Sequence, residues 1–295
     1  MMAPDISGHE LVLSVSGGKD STAMCLHMFE LGYGKSDFSR VFMDTGWEHP
    51  GTYEYLDQLE EIVGKITRLR ADFPLSMFDE EVRGHILHFE GRLGFESPMI
   101  RRIFRYTGFP SSRIRWCTDY LKMKPLRDHF GTIEDDHVNV VGVRGEESVA
   151  RSRMEEWEWS DGLDCWVWRP LIAWTEQEVI DIHARFGVFP NRLYMSGSQR
   201  VGCWPCINSR KLEVSQIDEE RISIIRDLEK VVTVLRRKRK GPEARRANFF
   251  QMDNADSSTI DDVRLWSRTA RGGKQMPLLS MAPRGCMKWG LCERM

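Results

Sequence analysis

The sequence lacks any apolar run approaching the ~20 residues that cross a bilayer. Its first residues, Met1-Met2-Ala3-Pro4-Asp5, lack the basic and apolar regions of a secretion signal. Both absences point to a cytoplasmic protein with no membrane partner. Net charge is also missing: 42 basic residues against 44 acidic give −2, so bulk electrostatics names no partner. There is no internal repeat and no low-complexity segment. What is present suits a globular chain, with 41% hydrophobic and 29% charged residues over 295 positions. That is enough for one large domain, or a core domain with an appendage. Seven cysteines in a reducing compartment do not read as a disulfide framework. They read as thiols, metal ligands or redox centres.

One stretch organises the rest. The apolar run Leu11-Val12-Leu13-Ser14-Val15 reads as a buried parallel strand. It leads into Ser16-Gly17-Gly18-Lys19-Asp20-Ser21, and from Ser21 to Leu31 apolar residues recur at helical spacing until Gly32. Strand, glycine turn and helix together suit an anion. The glycines let the backbone approach closely, and the free N–H groups and positive dipole end of the helix face the ligand. Lys19 adds a full charge, and Ser16 and Ser21 add hydroxyl donors. The stretch reads as a phosphate cradle, with a ligand-free glycine turn as the alternative. It does not match the longer Walker pattern G-x-x-x-x-G-K-[ST].

Further along, Val41 to Asp44 reads as a second strand, with Asp44-Thr45-Gly46 at its carboxyl end, where open α/β sheets bind ligands. Asp44 there holds a metal ion, orients a nucleotide, or caps the next helix. That helix spans Thr52 to Val63, with Tyr55, Leu56, Leu59, Ile62 and Val63 inward. Ile66 to Leu69 reads as a third strand. Glu80 to Phe89 and Pro98 to Tyr106 read as helices, the second made basic by Arg101, Arg102 and Arg105. His137 to Val143 is a strong fourth strand containing Gly142. Arg144 leaves its end, where a guanidinium forks well onto phosphate or sulfate, and Arg151 and Arg153 follow. Glu155 to Trp168 holds four of the ten tryptophans. Thr175 caps a helix with an acidic first turn that runs to Gly187. Repeated β-α order predicts an α/β fold, a parallel doubly wound sheet with right-handed crossovers.

Several motifs carry a family resemblance. Ser16 to Ser21 after a first strand resembles the PP-loop of the adenine-nucleotide α-hydrolase superfamily. Asp44-Thr45-Gly46, Arg115-Trp116-Cys117-Thr118 with Leu121-Lys122, and Gly142-Val143-Arg144 with Glu147-Ser148 resemble the phosphoadenosine phosphosulfate reductase branch of it. The segment around Cys117 is similar, more closely still, to the ATP pyrophosphatase of bacterial DNA phosphorothioation systems. The resemblance spans most of residues 10 to 212. It implies that an adenine nucleotide binds through Ser14, Ser16, Gly17, Gly18, Lys19, Asp20, Ser21, Asp44, Thr45, Gly46, Gly142 and Arg144. Lys19 and Gly18 would hold the β,γ-phosphates of ATP, with Mg²⁺ bridging them. Lys19, Asp20 and Arg144 are the candidate catalytic residues.

Gly202-Cys203-Trp204-Pro205-Cys206 is a second signal. A Cys-x-x-Cys is a redox pair, half of a zinc site, or part of an iron–sulfur site. Cys117 supplies a third thiol, and Cys286 or Cys292 a fourth. On count alone, zinc and [4Fe–4S] are equal; the resemblance favours the cluster, with Cys117, Cys203, Cys206 and Cys286 as ligands. Cys292 then resembles the nucleophilic tail cysteine of the reductases, although Gly-Leu-Cys-Glu is not their tail motif. Cys25 and Cys165 read as packing residues.

Glu219 to Lys240 reads as a helix ending in Arg236-Arg237-Lys238-Arg239-Lys240, which either complements the helix dipole or contacts nucleic-acid phosphates. Residues 248 to 262 read as a polar linker. The expected organisation is a PP-loop nucleotide-binding domain over 1–190 and a helical, cysteine-containing region over 191–295. Three functions are in view. One is an ATP pyrophosphatase serving sulfur transfer to a nucleic acid or other substrate, drawing on a sulfur- or electron-donor protein. The second is a sulfonucleotide reductase acting on an adenylyl sulfate through Cys292. The third is a non-catalytic nucleotide- and nucleic-acid-binding subunit.

Overall fold

The computed structural model describes residues 4–251, 258–269 and 289. Cys286 and Cys292 lie outside the described residues, and so do the roles expected of them. In chain order the elements are β1 (Glu10–Val15), α1 (Lys19–Glu30), β2 (Phe38–Met43), α2 (Pro50–Val63) and β3 (Thr67–Leu69). Then come α3 (Glu80–Leu93), α4 (Pro98–Tyr106), α5 (Trp116–Thr118), a π-turn over Asp119–Met123 and α6 (Lys124–Phe130). After β4 (His137–Val141), β5 (Trp157–Ser160) and β6 (Cys165–Trp168), the chain is helical: α7 (Glu176–Phe186), α8 (Arg192–Met195), α9 (Lys211–Ser215), α10 (Glu219–Lys240) and α11 (Ile260–Ser267).

The six strands form one sheet in the order β3-β2-β1-β4-β6-β5. All neighbours are parallel except β5 and β6. From β1 the chain steps outward to β2 and β3, then returns to place β4 on the other side of β1. The switch point therefore lies between the carboxyl ends of β1 and β4, where this class of sheet opens a crevice. The one antiparallel strand departs from the all-parallel expectation. Only four residues, 161–164, join β5 to β6, too few for a crossover and enough for a hairpin. Trp157 and Trp168 stack across it at 5.0 Å.

Strand alternation sorts the core. Leu11, Leu13 and Val15 pack with α1, α2 and α7 on one face, whereas Val12 meets Leu126 and Phe130 of α6 on the other. A third cluster joins Ile86, Phe89, Ile100 and Ile103 of α3 and α4 to Ile222, Ile225 and Leu228 of α10. Phe249 and Phe250 are buried in it, and α11 begins at Ile260. The stretch expected as a polar linker thus starts with two buried aromatics. Phe249 sits 5.9 Å from Trp47 and 5.4 Å from Phe109, contacts that composition does not reveal. Among the described residues no helix is long and apolar enough to cross a membrane.

Local signals explain the helix that closes over the site. Thr175 accepts from Glu178 N and Glu178 returns a bond to Thr175 N, a complete capping box, and Gly187 ends the helix in the left-handed region. On its inner face His183 is 1% exposed. Its Nδ1 lies 2.7 Å from Val179 O, and Nε2 has no partner. Burial is the main cause that pushes the imidazole down to about 4, from 6.5. A group depressed in the fold adds stability that is full above its unfolded value and is lost as pH falls through the folded one. Denaturant unfolding should therefore lose up to about 3 kcal/mol through this residue between pH 6.5 and 4. His183→Leu should flatten that part of the pH profile, and parallel profiles for the two proteins would contradict the assignment.

Candidate active site: the glycine turn and the cysteine pair

The turn after β1 is shaped by its own side chains. Gly17 takes φ +70, a conformation that costs a side chain, and an added Cβ would also stand 3.0 Å from Thr52. Gly18 is the extended residue before α1 and caps it without a side chain. The helix therefore begins at Lys19, two residues before the apolar periodicity becomes visible. Ser21 Oγ accepts from Ser16 N at 3.1 Å and donates to Gly18 O at 3.0 Å, pinning the turn. Gly142, at the end of β4, lies under the first turn of α1. A Cβ there would sit 2.6 Å from Asp20 O and 2.8 Å from Ser21 Cα.

The charged groups here are buried and paired. Lys19 is 7% exposed, with its Nζ 3.6 Å from both Asp20 Oδ2 and Glu176 Oε1. Arg144 is 3% exposed and donates to Asp20 Oδ1 at 2.5 Å and Glu146 Oε2 at 2.6 Å. Burial alone would lower the Arg144 guanidinium, but Asp20, Glu146 and Glu176 together raise it. Glu146 also accepts from Glu176 N at 2.7 Å, fixing the start of α7 beside the turn. Beside this array lies a cavity of ≈ 140 Å³ lined by Ser16, Gly18, Lys19, Asp20, Ser21, Gly142, Tyr194 and Arg200 among others.

Part of this wall carried no signal in the sequence. The Tyr194 hydroxyl accepts from Lys19 N at 3.1 Å, and Asn191 Nδ2 donates to Gly17 O at 3.3 Å. Both come from the segment after α7, more than 170 residues from the turn they hold, and no motif marks them. Glu176 reads in sequence as a dipole-matching first-turn acid, yet it faces Lys19.

Ser14, Asp44, Thr45 and Gly46 do not line the cavity. Ser14 Oγ donates to Asn139 Oδ1 at 2.9 Å, bracing β1 against β4. Asp44 is 1% exposed and accepts from Gly46 N, the Tyr53 hydroxyl and Arg70 Nε at 2.7–2.9 Å. Thr45 donates to Glu48 Oε1 at 2.7 Å, and the Tyr53 hydroxyl lies 3.0 Å from Glu48 Oε2. Burial first, then both carboxylates, pushes the Tyr53 phenol up. These residues form a second, adjoining site at the end of β2.

That second site holds the cysteine pair. Cys203 makes an isolated antiparallel bridge with Glu48, and its Sγ is 3.8 Å from Thr45 Oγ1 and 3.9 Å from Glu48 Oε1. Trp47 locks the segment: its O accepts from Trp204 N at 2.8 Å and its Nε1 donates to Pro205 O at 3.1 Å. Cys117, Cys203 and Cys206 share one neighbourhood with the Lys122 ammonium, whose pKa is raised by Cys203 first and, against burial, by Glu48, Cys206 and Cys117. Burial pushes the Cys203 thiol up to about 12, and raises Cys117 with a contribution from Cys206. Among the described residues, no three His, Cys, Asp or Glu groups stand together as a metal site. Cys25 and Cys165 are buried packing residues.

The basic run at the end of α10 is largely engaged within the chain. Arg236 donates to Thr107 O at 2.9 Å and Arg246 O at 3.2 Å, Arg237 donates to Ala244 O at 3.2 Å, and Lys238 pairs with Glu81. Arg239 and Lys240 are exposed.

Gly142 offers a direct check on this assembly. Gly142→Ala should weaken ATP binding at least tenfold and cost roughly 1–3 kcal/mol of stability, because the backbone of α1 must move. Equilibrium dialysis and denaturant unfolding measure both, and unchanged binding would separate the turn from nucleotide recognition.

Comparison with known proteins agrees with the motifs. The phosphoadenosine phosphosulfate reductase domain matches residues 10–209. A 37.8 kDa protein encoded in the gpa 5′ region of Escherichia phage 186 is 33% identical, with 91% of each chain covered. The adenosine 5′-phosphosulfate reductase of Allochromatium vinosum is 28% identical over 57% of each chain. The solved phosphoadenylyl-sulfate reductase of Candida auris, a phosphate complex, overlays 70% of this chain and 84% of its own with a TM-score of 0.47 at 16% identity. The domain match takes in the glycine turn, Arg144 and both cysteines of the pair, and the chain belongs to the phosphoadenosine phosphosulfate reductase family.

Proposed function

We propose that the chain is an ATP pyrophosphatase that cleaves the α–β bond and activates a substrate for sulfur transfer. The observation that carries this reading is the cavity beside the glycine turn. At ≈ 140 Å³ it is smaller than the roughly 300–1,000 Å³ of a whole small-ligand pocket, and its walls carry the start of α1, hydroxyls and three cations, with the carboxylates of Asp20 and Glu147 among them. Those features suit the diphosphate end of a nucleotide, with the adenosine outside.

The chemistry follows from the charges. An acceptor oxygen attacks the α-phosphorus, the bond from that phosphorus to the bridging oxygen breaks, and pyrophosphate leaves with its charge intact. The turn amides and Lys19 hold that growing charge, which is where fixed donors accelerate phosphoryl and adenylyl transfer. Arg144 keeps Asp20 in place rather than facing the ligand itself. Before ligand enters, Lys19 and Arg144 are already paired with carboxylates, so a polyphosphate must compete with Asp20 and Glu176. Mg²⁺ offsets that repulsion when bound with the nucleotide, and the hard oxygens of Asp20 and Glu176 fit it in kind.

The thiols of Cys117, Cys203 and Cys206 fit a thiophilic centre in kind, either [4Fe–4S] or zinc, with Cys286 or Cys292 as the fourth donor. Such a centre would hold or relay sulfur. The acceptor on this reading is a nucleic acid, approached by the exposed Arg239 and Lys240, with a separate protein donating sulfur or electrons. The chain works in the cytoplasm.

One observation favours a second reading. The Allochromatium vinosum relative is named as an adenosine 5′-phosphosulfate reductase. On that reading a thiolate, Cys292 being the candidate, attacks the sulfur of an adenylyl sulfate. The sulfur–oxygen bond breaks, AMP leaves, and a second thiol releases sulfite while forming a disulfide.

Product analysis separates the two. Anaerobically purified protein should release pyrophosphate and AMP from ATP, and no sulfite from either adenylyl sulfate with a thiol reductant. Sulfite release without pyrophosphate release would overturn the proposal. Lys19→Ala should weaken ATP binding by about 10–100-fold, the scale of lost charge-assisted hydrogen bonds, and equal affinity would move the phosphates elsewhere.

A further inference from the structure

Two arginines that line the same cavity as the glycine turn, Arg151 and Arg200, are left without a task by the pyrophosphatase reading. Arg151 is paired with Glu147, whereas Arg200 has no ion-pair partner among the described residues. The two guanidiniums also oppose each other: after burial, Arg200 is the largest influence lowering Arg151. Like charges held together at the wall of a small polar cavity are relieved by an anion between them and the opposite wall.

The backbone that presents Arg200 is anchored at both ends. Upstream, Asn191 and Tyr194 are bonded to Gly17 O and Lys19 N. The Tyr194 hydroxyl stands 3.2 Å from where a Gly18 Cβ would be, so the strap lies against the turn itself. Downstream, Cys203 bridges Glu48 and Trp204 N donates to Trp47 O. Arg200 lies six residues after Tyr194 and three before Cys203. The strap therefore delivers a planar five-donor cation to the cavity, at a distance from the turn set by the fold. Two oxygens on one phosphate match that fork.

We propose that Arg200, together with Arg151, binds the pyrophosphate moiety of the nucleotide in the cavity beside the glycine turn. This rests on reading the cavity as a polyphosphate site. The phosphates then meet the two guanidiniums in addition to Lys19 and the turn. The same strap carries Cys203 and Cys206, so the residue that grips the leaving group is a near neighbour in sequence of the thiols.

Titration calorimetry on the full chain, wild type and Arg200→Gln, with ATP, inorganic pyrophosphate and AMP as probes, tests this. The variant should bind ATP and pyrophosphate about tenfold or more weakly, and AMP within twofold of wild type. Arg200→Lys should fall between, keeping the charge and losing the fork. Unchanged ATP affinity in Arg200→Gln, or an equal loss for ATP and AMP, would overturn the assignment while leaving the polyphosphate site standing. A wild-type chain that binds none of the three probes would instead overturn the polyphosphate reading on which it rests.

Discussion

Asp20 stands between two buried cations, the Lys19 ammonium and the Arg144 guanidinium, and its carboxylate joins the end of β1 to the end of β4. The rest of the site depends on that junction. It sits at the switch point of the sheet, where the strand order leaves a crevice. It explains why Gly142 has no side chain, since the α1 backbone rests there. It also sets Arg144 apart from the cavity wall: Arg144 is bonded to Asp20 and Glu146, whereas Lys19, Arg151 and Arg200 line the cavity. Ions this buried repay their desolvation only while every partner is present, and removing one leaves a bare charge costing roughly 3–5 kcal/mol. The array is therefore set in place before any ligand arrives, the preorganisation that electrostatic catalysis relies on.

The second constraint is the strap from Asn191 to Cys206. It is bonded to the glycine turn at one end and to the Trp47–Glu48 turn after β2 at the other. The glycine turn and the Cys203–Cys206 pair, at neighbouring strand ends, are thereby tied to a single stretch of chain. The Glu48 carboxylate, 2% exposed and bonded to Thr45, Trp47 N and near Tyr53 and Cys203, braces the thiol side. A nucleotide in the cavity and whatever the thiols hold would share that brace.

Local signals made the frame legible in the sequence. The strand–glycine–helix pattern located the turn, the Thr175 cap with its acidic first turn located α7, and the apolar periodicity located α10 from Glu219 to Lys240. Arg144 stood out because it leaves a strand end. What stayed hidden was long-range. Tyr194 and Asn191 act on residues some 175 positions away, and nothing near them in sequence says so. Glu176 satisfied a helix-start rule and thereby masked its contact with Lys19. The basic run at Arg236–Lys240 read either as a dipole-complementing helix end or as a nucleic-acid contact, and local sequence could not show that three of its five side chains bond to Thr107, Ala244, Arg246 or Glu81. Phe249 and Phe250 were hidden by polar neighbours, since composition over a window cannot show two aromatics inserted against Trp47 and Phe109. Ser14, implied by the resemblance as a nucleotide contact, and Asp44, read as a metal or nucleotide contact or a helix cap, are bonded to Asn139 and to Gly46, Tyr53 and Arg70, partners that local sequence does not name.

The central claim is that amides of the glycine turn and the Lys19 ammonium clasp the polyphosphate of an adenosine ligand. Its most direct test is a crystal structure with a non-hydrolysable ATP analogue. The β- and γ-phosphates should be seated in the cavity lined by Gly18–Ser21, Arg151 and Arg200, within hydrogen-bond distance of Lys19 Nζ. An analogue bound elsewhere, with the turn bare and Lys19 still paired to Asp20 and Glu176, would contradict it.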